Sequence, residues 1–166
     1  LTDPRPFALL MYDYEVLDSD AFARALLADP NYDERESIIL ASEPTIIPSV
    51  TPSENDTAEV ITFEPERVVI AVNTSADAIL SVAMVDYPGW QATINSEPAE
   101  TIRAYGALTA IPINAGEHTV ELVYNPLSFR VGAGLSLVTW VGLFILGGVV
   151  LLRSGKRDDR RETAST

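Results

Sequence analysis

Cysteine is absent from the 166 residues, and histidine occurs once, at His118. The first absence excludes disulfides, so whatever this chain packs is held by apolar burial and hydrogen bonds, even in a compartment that permits oxidation. It fits a bacterial surface better than a metazoan one. The second absence removes the usual partners for a metal cluster or a histidine-dependent triad, and His118 reads as a packed strand residue beside a turn. Basic side chains are scarce as well: 11 Lys and Arg face 24 Asp and Glu, a net charge of −13. So acidic a surface repels polyanions, which excludes nucleic acid as a partner. It is compatible both with a saline habitat and with cation binding. The one calcium-like spacing, Asp29-x-Asn31-x-Asp33, lacks the glycine at its sixth position and the glutamate at its twelfth, where Glu34 and Leu40 stand. Asp33, Glu34 and Glu36 read as a solvated face, because no apolar run surrounds them to shift a carboxyl pKa.

Long apolar runs are missing from the first 130 residues, which makes the last one conspicuous. Residues 131–152 read VGAGLSLVTWVGLFILGGVVLL, 22 residues without a charge. At about 1.5 Å per residue that is roughly 33 Å of helix, enough for a hydrocarbon core of about 30 Å. Its five glycines are ordinary in lipid. Arg153, Lys156, Arg157, Arg160 and Arg161 crowd its C-terminal side, and the twenty residues before it offer only Arg130. The positive-inside rule then predicts a cytoplasmic tail and an extracytoplasmic location for residues 1–130, in a cell membrane. Charge agrees: residues 1–130 hold 21 acidic and 6 basic side chains, and residues 153–166 hold 3 acidic and 5 basic. A C-terminal anchor with the bulk outside needs an export signal upstream, so the chain is expected to be a fragment of a longer protein, either polytopic or preceded by a cleaved signal. Gly132 and Ser136, with Thr139 and Gly147 near the same face, would let a neighbouring helix approach, a pattern that chance gives equally well. Trp140 lies mid-span and reads as a packing residue.

Upstream, residues 1–43 read as a small extracytoplasmic β-α-β unit. A strand over residues 7–17 is followed by Ser19 or Asp20 as cap of a helix over residues 21–28, then by a short buried strand at residues 37–41. Pro44, Pro48 and Pro52 mark residues 44–57 as a Pro-rich linker or covering loop. Residues 58–128 alternate β-branched runs with turn signals, at 59–63, 67–73, 79–86, 90–95, 101–113 and 117–124, as an antiparallel β-sandwich does. Residues 129–152 form the transmembrane helix and residues 153–166 the basic tail. The predicted fold is therefore mainly β: a β-α-β unit packed on an antiparallel sandwich, followed by one C-terminal transmembrane helix. About 70 residues of sandwich bury a limited core, so the N-terminal unit is expected to complete it.

No constellation reaches the level of a catalytic site, and no cofactor or metal site is expected in this segment. Tyr87, Trp90 and Tyr105 are the candidate ligand contacts, since aromatic faces stack on sugar rings, although core packing or turn support is the role such residues more often have.

Asp86-Tyr87-Pro88-Gly89-Trp90-Gln91-Ala92 resembles the C-terminal region of the YfhO-like bacterial membrane proteins, which have Tyr-Pro-Gly-Trp between two strands there. Ala115-Gly116-Glu117-His118-Thr119-Val120 resembles the same proteins' Ala-Gly-Glu-His-Thr-Val hairpin, and Tyr124-Asn125-Pro126, with Phe129 and Gly132, resembles the approach to their final membrane helix. Pro4-Arg5-Pro6-Phe7 and the segments at 21–29 and 37–40 resemble the β-α-β segment ahead of the sandwich. The departure is Asn95-Ser96, where the family usually shows Asp-Gly. The resemblance implies a polytopic parent similar to GT-C glycosyltransferases, which take sugar from a polyprenyl-phosphate donor. Their catalytic carboxylate sits in an early extracytoplasmic loop, so no catalytic residue is implied here. The partners implied are the membrane, the parent's other transmembrane helices, and a lipid-linked sugar or cell-envelope glycan. Two function classes follow: a non-catalytic extracytoplasmic accessory domain of such a protein, or a single-pass surface module that binds carbohydrate or protein.

Overall fold

A computed structural model of the chain describes residues 5–17, 27–29, 32–33, 35–48 and 53–162, with residues 127, 130 and 149–162 described by backbone alone. The predicted helix at 21–28 falls almost wholly outside them. Two compact units are present, residues Leu1–Asn125 and Pro126–Thr166. In the first, the described strands are β1 (Ala8–Met11), β2 (Asp13–Val16), β3 (Ser37–Leu40), β4 (Thr57–Glu64), β5 (Arg67–Thr74), β6 (Ala78–Val85), β7 (Trp90–Ile94), β8 (Glu97–Ala99), β9 (Ile102–Ala104), β10 (Leu108–Ile113) and β11 (Gly116–Tyr124). They form two sheets, ordered β1-β6-β10-β9-β3-β2 and β4-β5-β11-β7-β8. The fold is thus mainly β, with one apolar helix at its C-terminal end.

Alternation along the strands decides how the sheets face each other. Val68, Ile70 and Val72 on β5, Leu80 and Val82 on β6, Ile111 and Ile113 on β10, and Val120 and Leu122 on β11 form one buried cluster between the sheets. Each fully buried side chain of this size contributes roughly 1.5–3 kcal/mol through removal from water. The intervening residues of the first sheet, Met11, Ile79 and Ala110, point the other way, into a second cluster with Ile38, Ile39, Leu40, Ile102, Ala104 and Tyr105. A sheet buried on both faces reads as continuous apolar sequence, which is why β3 and β6 show no polar alternation.

The second cluster exists because the first sheet curls. Its two edges, β1 and β2, are successive segments of chain separated only by Tyr12, so the edges must come together there. The strand expected over residues 7–17 is therefore two strands with different neighbours: β1 pairs antiparallel with β6, and β2 parallel with β3. A parallel pair requires a crossover connection. The N-terminal strands complete the sandwich by entering its first sheet. The run expected over residues 101–113 likewise divides, into β9 and β10, at a turn where Tyr105 and Gly106 have φ of 50° and 77°. Gly106 takes that conformation at no steric cost.

The hairpin between β7 and β8 turns on Asn95 and Ser96, both at positive φ (51° and 72°), as a two-residue type I′ turn requires. Asn95 tolerates this because its side chain is engaged: Oδ1 accepts from the Thr119 N–H at 2.9 Å and Nδ2 reaches His118 Nδ1 at 3.1 Å. His118 Nε2 lies 3.1 Å from the Asn114 carbonyl. The histidine thus sits near the start of β11 and ties two turns together.

In the second unit, helix α1 (Leu127–Glu162) contains the apolar span Val131–Gly148, long and apolar enough to cross a membrane. The helix continues through the basic stretch that follows. Thr139 Oγ1 donates to the Leu135 carbonyl at 2.9 Å, which satisfies its hydroxyl within the helix.

Candidate functional site: a cleft between two sheet edges

β1 closes one side of the first sheet and β4 one side of the second, and between these two edges runs a cleft of about 680 Å³. Each of its ends is closed by a side-chain contact. At one end the rings of Phe7 and Phe63 meet edge to face, centroids 5.1 Å apart. At the other, the Tyr12 hydroxyl donates to Asp56 Oδ2 at 2.5 Å and lies 2.9 Å from Thr74 Oγ1. Phe7, Leu9, Leu10 and Val60 give the cleft apolar walls, and Thr57 and Glu59 supply polar groups.

Asp56 is the best-connected carboxylate of the described residues. Besides Tyr12, its Oδ2 accepts from the Ser53 N–H (3.0 Å) and the Ser75 hydroxyl (3.0 Å), and Oδ1 accepts from the Ser75 N–H (2.8 Å). The Tyr12 hydrogen bond, with the Ser53 and Ser75 donors added, outweighs desolvation and holds the carboxyl down to about 2. Burial, then the hydrogen bond to Asp56 and its charge, push the Tyr12 hydroxyl up to about 12. At neutral pH the pair is therefore a charged acceptor and a protonated donor. Neither is poised to exchange a proton, so the arrangement binds and braces, and offers no general base. The groove at the β5–β11 end of the second sheet, about 380 Å³ and lined by Asn73, Asn95, Glu117 and His118, is smaller and more polar. Among the described residues no group of three or more His, Cys, Asp or Glu is placed to hold a metal ion.

The family model of the bacterial membrane protein YfhO matches residues 46–136, more than half of the chain. The chain belongs to the YfhO family. The matched segment takes in β4 through β11 and runs on into the first turns of α1. Comparison with curated proteins and with solved structures returns no match.

Within this YfhO sandwich the three aromatic candidates are separated. Tyr87 is 60% exposed, on the connection from β6 to β7. Trp90 opens β7, half-buried, its ring 5.4 Å from that of Tyr124 in the facing register position of β11. Tyr105 lies in the turn from β9 to β10 of the other sheet and is buried in the core of its curl. The Arg5 guanidinium stacks 4.7 Å from its ring centroid and donates to its hydroxyl at 3.2 Å, and that hydroxyl donates to the Ser37 carbonyl at 3.3 Å. A ring so enclosed offers no face to a ligand in solution, which removes Tyr105 from the set. Tyr87 and Trp90 stay as candidates.

Sequence reading missed Phe7, Tyr12, Asp56 and Glu59, the residues that frame the cleft. One local signal was present: Ser53-Glu54-Asn55-Asp56 is a side-chain-stabilised turn, with Asp56 N–H to Ser53 O at 3.0 Å and Ser53 N–H to the Asp56 carboxylate. Nothing local pairs it with Tyr12, 44 residues earlier.

Proposed function

We propose that residues 1–130 are the extracytoplasmic, non-catalytic accessory domain of a polytopic membrane protein, that residues 131–152 are a membrane helix of that protein, and that the basic tail is cytoplasmic. The observation that carries this reading is the extent of the match to a membrane-protein family, which takes in β4 through β11 and the first residues of the apolar helix that follows them. The positive flank after the helix and the acidic character of residues 1–130 support the direction. The resemblance to polyprenyl-phosphate-sugar-dependent glycosyltransferases supports a role beside the acceptor or the lipid-linked sugar, with the chemistry done elsewhere in the parent.

A cysteine-free chain makes the topology test clean. Single cysteines at Glu97→Cys and Ser154→Cys are offered a membrane-impermeant maleimide in intact cells. Labelling at 97 before permeabilisation and at 154 only after it is the expected pattern, and the reverse refutes the orientation. Removing residues 1–128 from the parent should lower sugar transfer from a polyprenyl-phosphate donor; unchanged transfer and assembly would rule out an accessory role.

The cleft favours a second reading, a membrane-anchored module that binds carbohydrate, with the apolar wall against a ring face and Glu59 and Thr57 on hydroxyls. Glycan retention by the full chain that falls with Glu59→Gln and survives Trp90→Ala would place the ligand in the cleft. The opposite pattern would place it at Tyr87 and Trp90, and no retention would leave the first reading alone.

A further inference from the structure

We propose that the end of the sandwich from which the chain leaves β11 is a docking surface for the headgroup layer of the bilayer, entered by Phe63, Val85 and Tyr87. The proposal rests on the reading that Val131–Gly148 spans a membrane. That end is defined by register. Tyr124, the last residue of β11, stands opposite Trp90, its N–H donates to the Glu66 carbonyl at 2.9 Å, and the Asn125 N–H donates to the Gly89 carbonyl at 2.7 Å. The close of β4, the turn into β5, the close of β6 and the Tyr87-Pro88-Gly89 connection are therefore gathered at one end.

The distribution of exposed apolar side chains follows the same axis. On the strands and the turns joining them, the large exposed ones are Ile61, Phe63, Val85 and Tyr87, at 60%, 68%, 58% and 60% exposure. Phe63, Val85 and Tyr87 belong to the exit end, and Ile61 lies beside them at a bulge in β4. Leu27 and Ile47, also exposed, belong to the irregular segments flanking β3. Among the described residues, the opposite end is built from Ser53 to Asp56, Ser75 to Asp77, Asn95-Ser96 and Asn114-Ala115, turns without a large apolar side chain. Exposed apolar side chains grouped at one end, and not scattered singly, mark a contact with a protein or a membrane.

Covalent length identifies the occupant. From Tyr124 to Val131 is seven steps along the chain, the last four of them, from Leu127 to Val131, taken on the helix. The chain can therefore hold this end no more than roughly 16 Å from the edge of the hydrocarbon. Tyr and Trp favour that layer, where an apolar ring and a polar tip are both satisfied. Charge narrows the lipid further. Arg67 already faces Glu121 at 2.6 Å and Arg103 faces Asp86 at 3.5 Å, and Glu64 and Glu66 stand at the same turn. Among the described residues of this end no cationic patch is offered, so the docking is to a zwitterionic interface and gains nothing from anionic lipid.

Single nitroxide labels at Tyr87→Cys, Val85→Cys, Glu97→Cys and Leu143→Cys of the full chain, reconstituted in phosphatidylcholine vesicles, test this through collision with oxygen, which partitions into lipid, and with a water-soluble nickel complex. The labels at 87 and 85 should show an oxygen-to-nickel ratio several-fold above that at 97, unchanged when phosphatidylglycerol is added. Equal ratios at 87 and 97 overturn the docking, as does shielding of 87 and 85 from both reagents, which would mean a protein neighbour covers them. The label at 143 separates the two readings: lipid-like there with water-like at 87 sinks the docking alone, and water-like at 143 sinks the spanning helix on which it rests.

Discussion

Asp56→Asn isolates the polar brace at the end of the cleft. The substitution keeps shape and one acceptor, so Oδ1 can still take the Ser75 N–H. In place of Oδ2 it sets an NH2 group against three donors, the Tyr12 hydroxyl, the Ser53 N–H and the Ser75 hydroxyl. At about 1 kcal/mol net for each hydrogen bond the loss is about 3 kcal/mol, reduced to about 2 kcal/mol because water reaches the partly exposed site. The pH dependence has a fixed sign. The folded carboxyl, held down to about 2, lies below the ordinary carboxylate value of the unfolded chain, so its contribution is complete above that value and disappears as pH falls toward 2. The asparagine does not titrate. Urea unfolding of the full chain in neutral detergent, in a Trp140→Phe background so that Trp90 reports alone, should show the midpoint of Asp56→Asn lowered by about 1 M near pH 7, for a slope of about 2 kcal/mol per M. The gap should narrow as pH is lowered to about 2.5, because the wild type then loses the same interaction. A gap of equal size at both pH values would mean that the brace acts through shape and not through charge, and no gap at neutral pH would refute it entirely.

Two further substitutions probe the framework. Leu122→Ala, at a fully buried position between the sheets, should cost about 3–4 kcal/mol in the same unfolding assay, with the helix of the second unit retained in far-UV circular dichroism. Ser96→Gly should stabilise the β7–β8 hairpin by about 0.5 kcal/mol, since Ser96 holds φ of 72° where glycine is unstrained; a lower midpoint would show that its side chain contributes more than the backbone strain costs.

Much of this was written in local sequence. The charge-free run before Arg153 determines a membrane-capable helix without help from any neighbour, because lipid leaves a helix as the only way for a lone segment to satisfy its backbone. Alternation fixed the inward faces of β7 and β11, and Pro88-Gly89 and Ala115-Gly116 marked turns that the structure contains. Where a strand is buried on both faces, as in β6 and β3, alternation vanishes and only the second core reveals why. The division of residues 7–17 at Tyr12, and with it the curl of the first sheet, depends on partners at β6 and β3 that lie far along the chain. The cleft is of the same kind: Phe7 with Phe63 and Tyr12 with Asp56 are meetings across more than forty residues, settled by which strands became edges. Tyr105 makes the point in reverse. Its aromatic character left ligand contact and core packing both open, and only the packing of the curl, with Arg5 over its ring, assigned it to the core. Sequence determined what each segment can bury and which segment can enter a membrane, because those depend on side chains a few residues apart. Tertiary structure decided which edges stay open, because an edge is defined by the strand that does not pair with it.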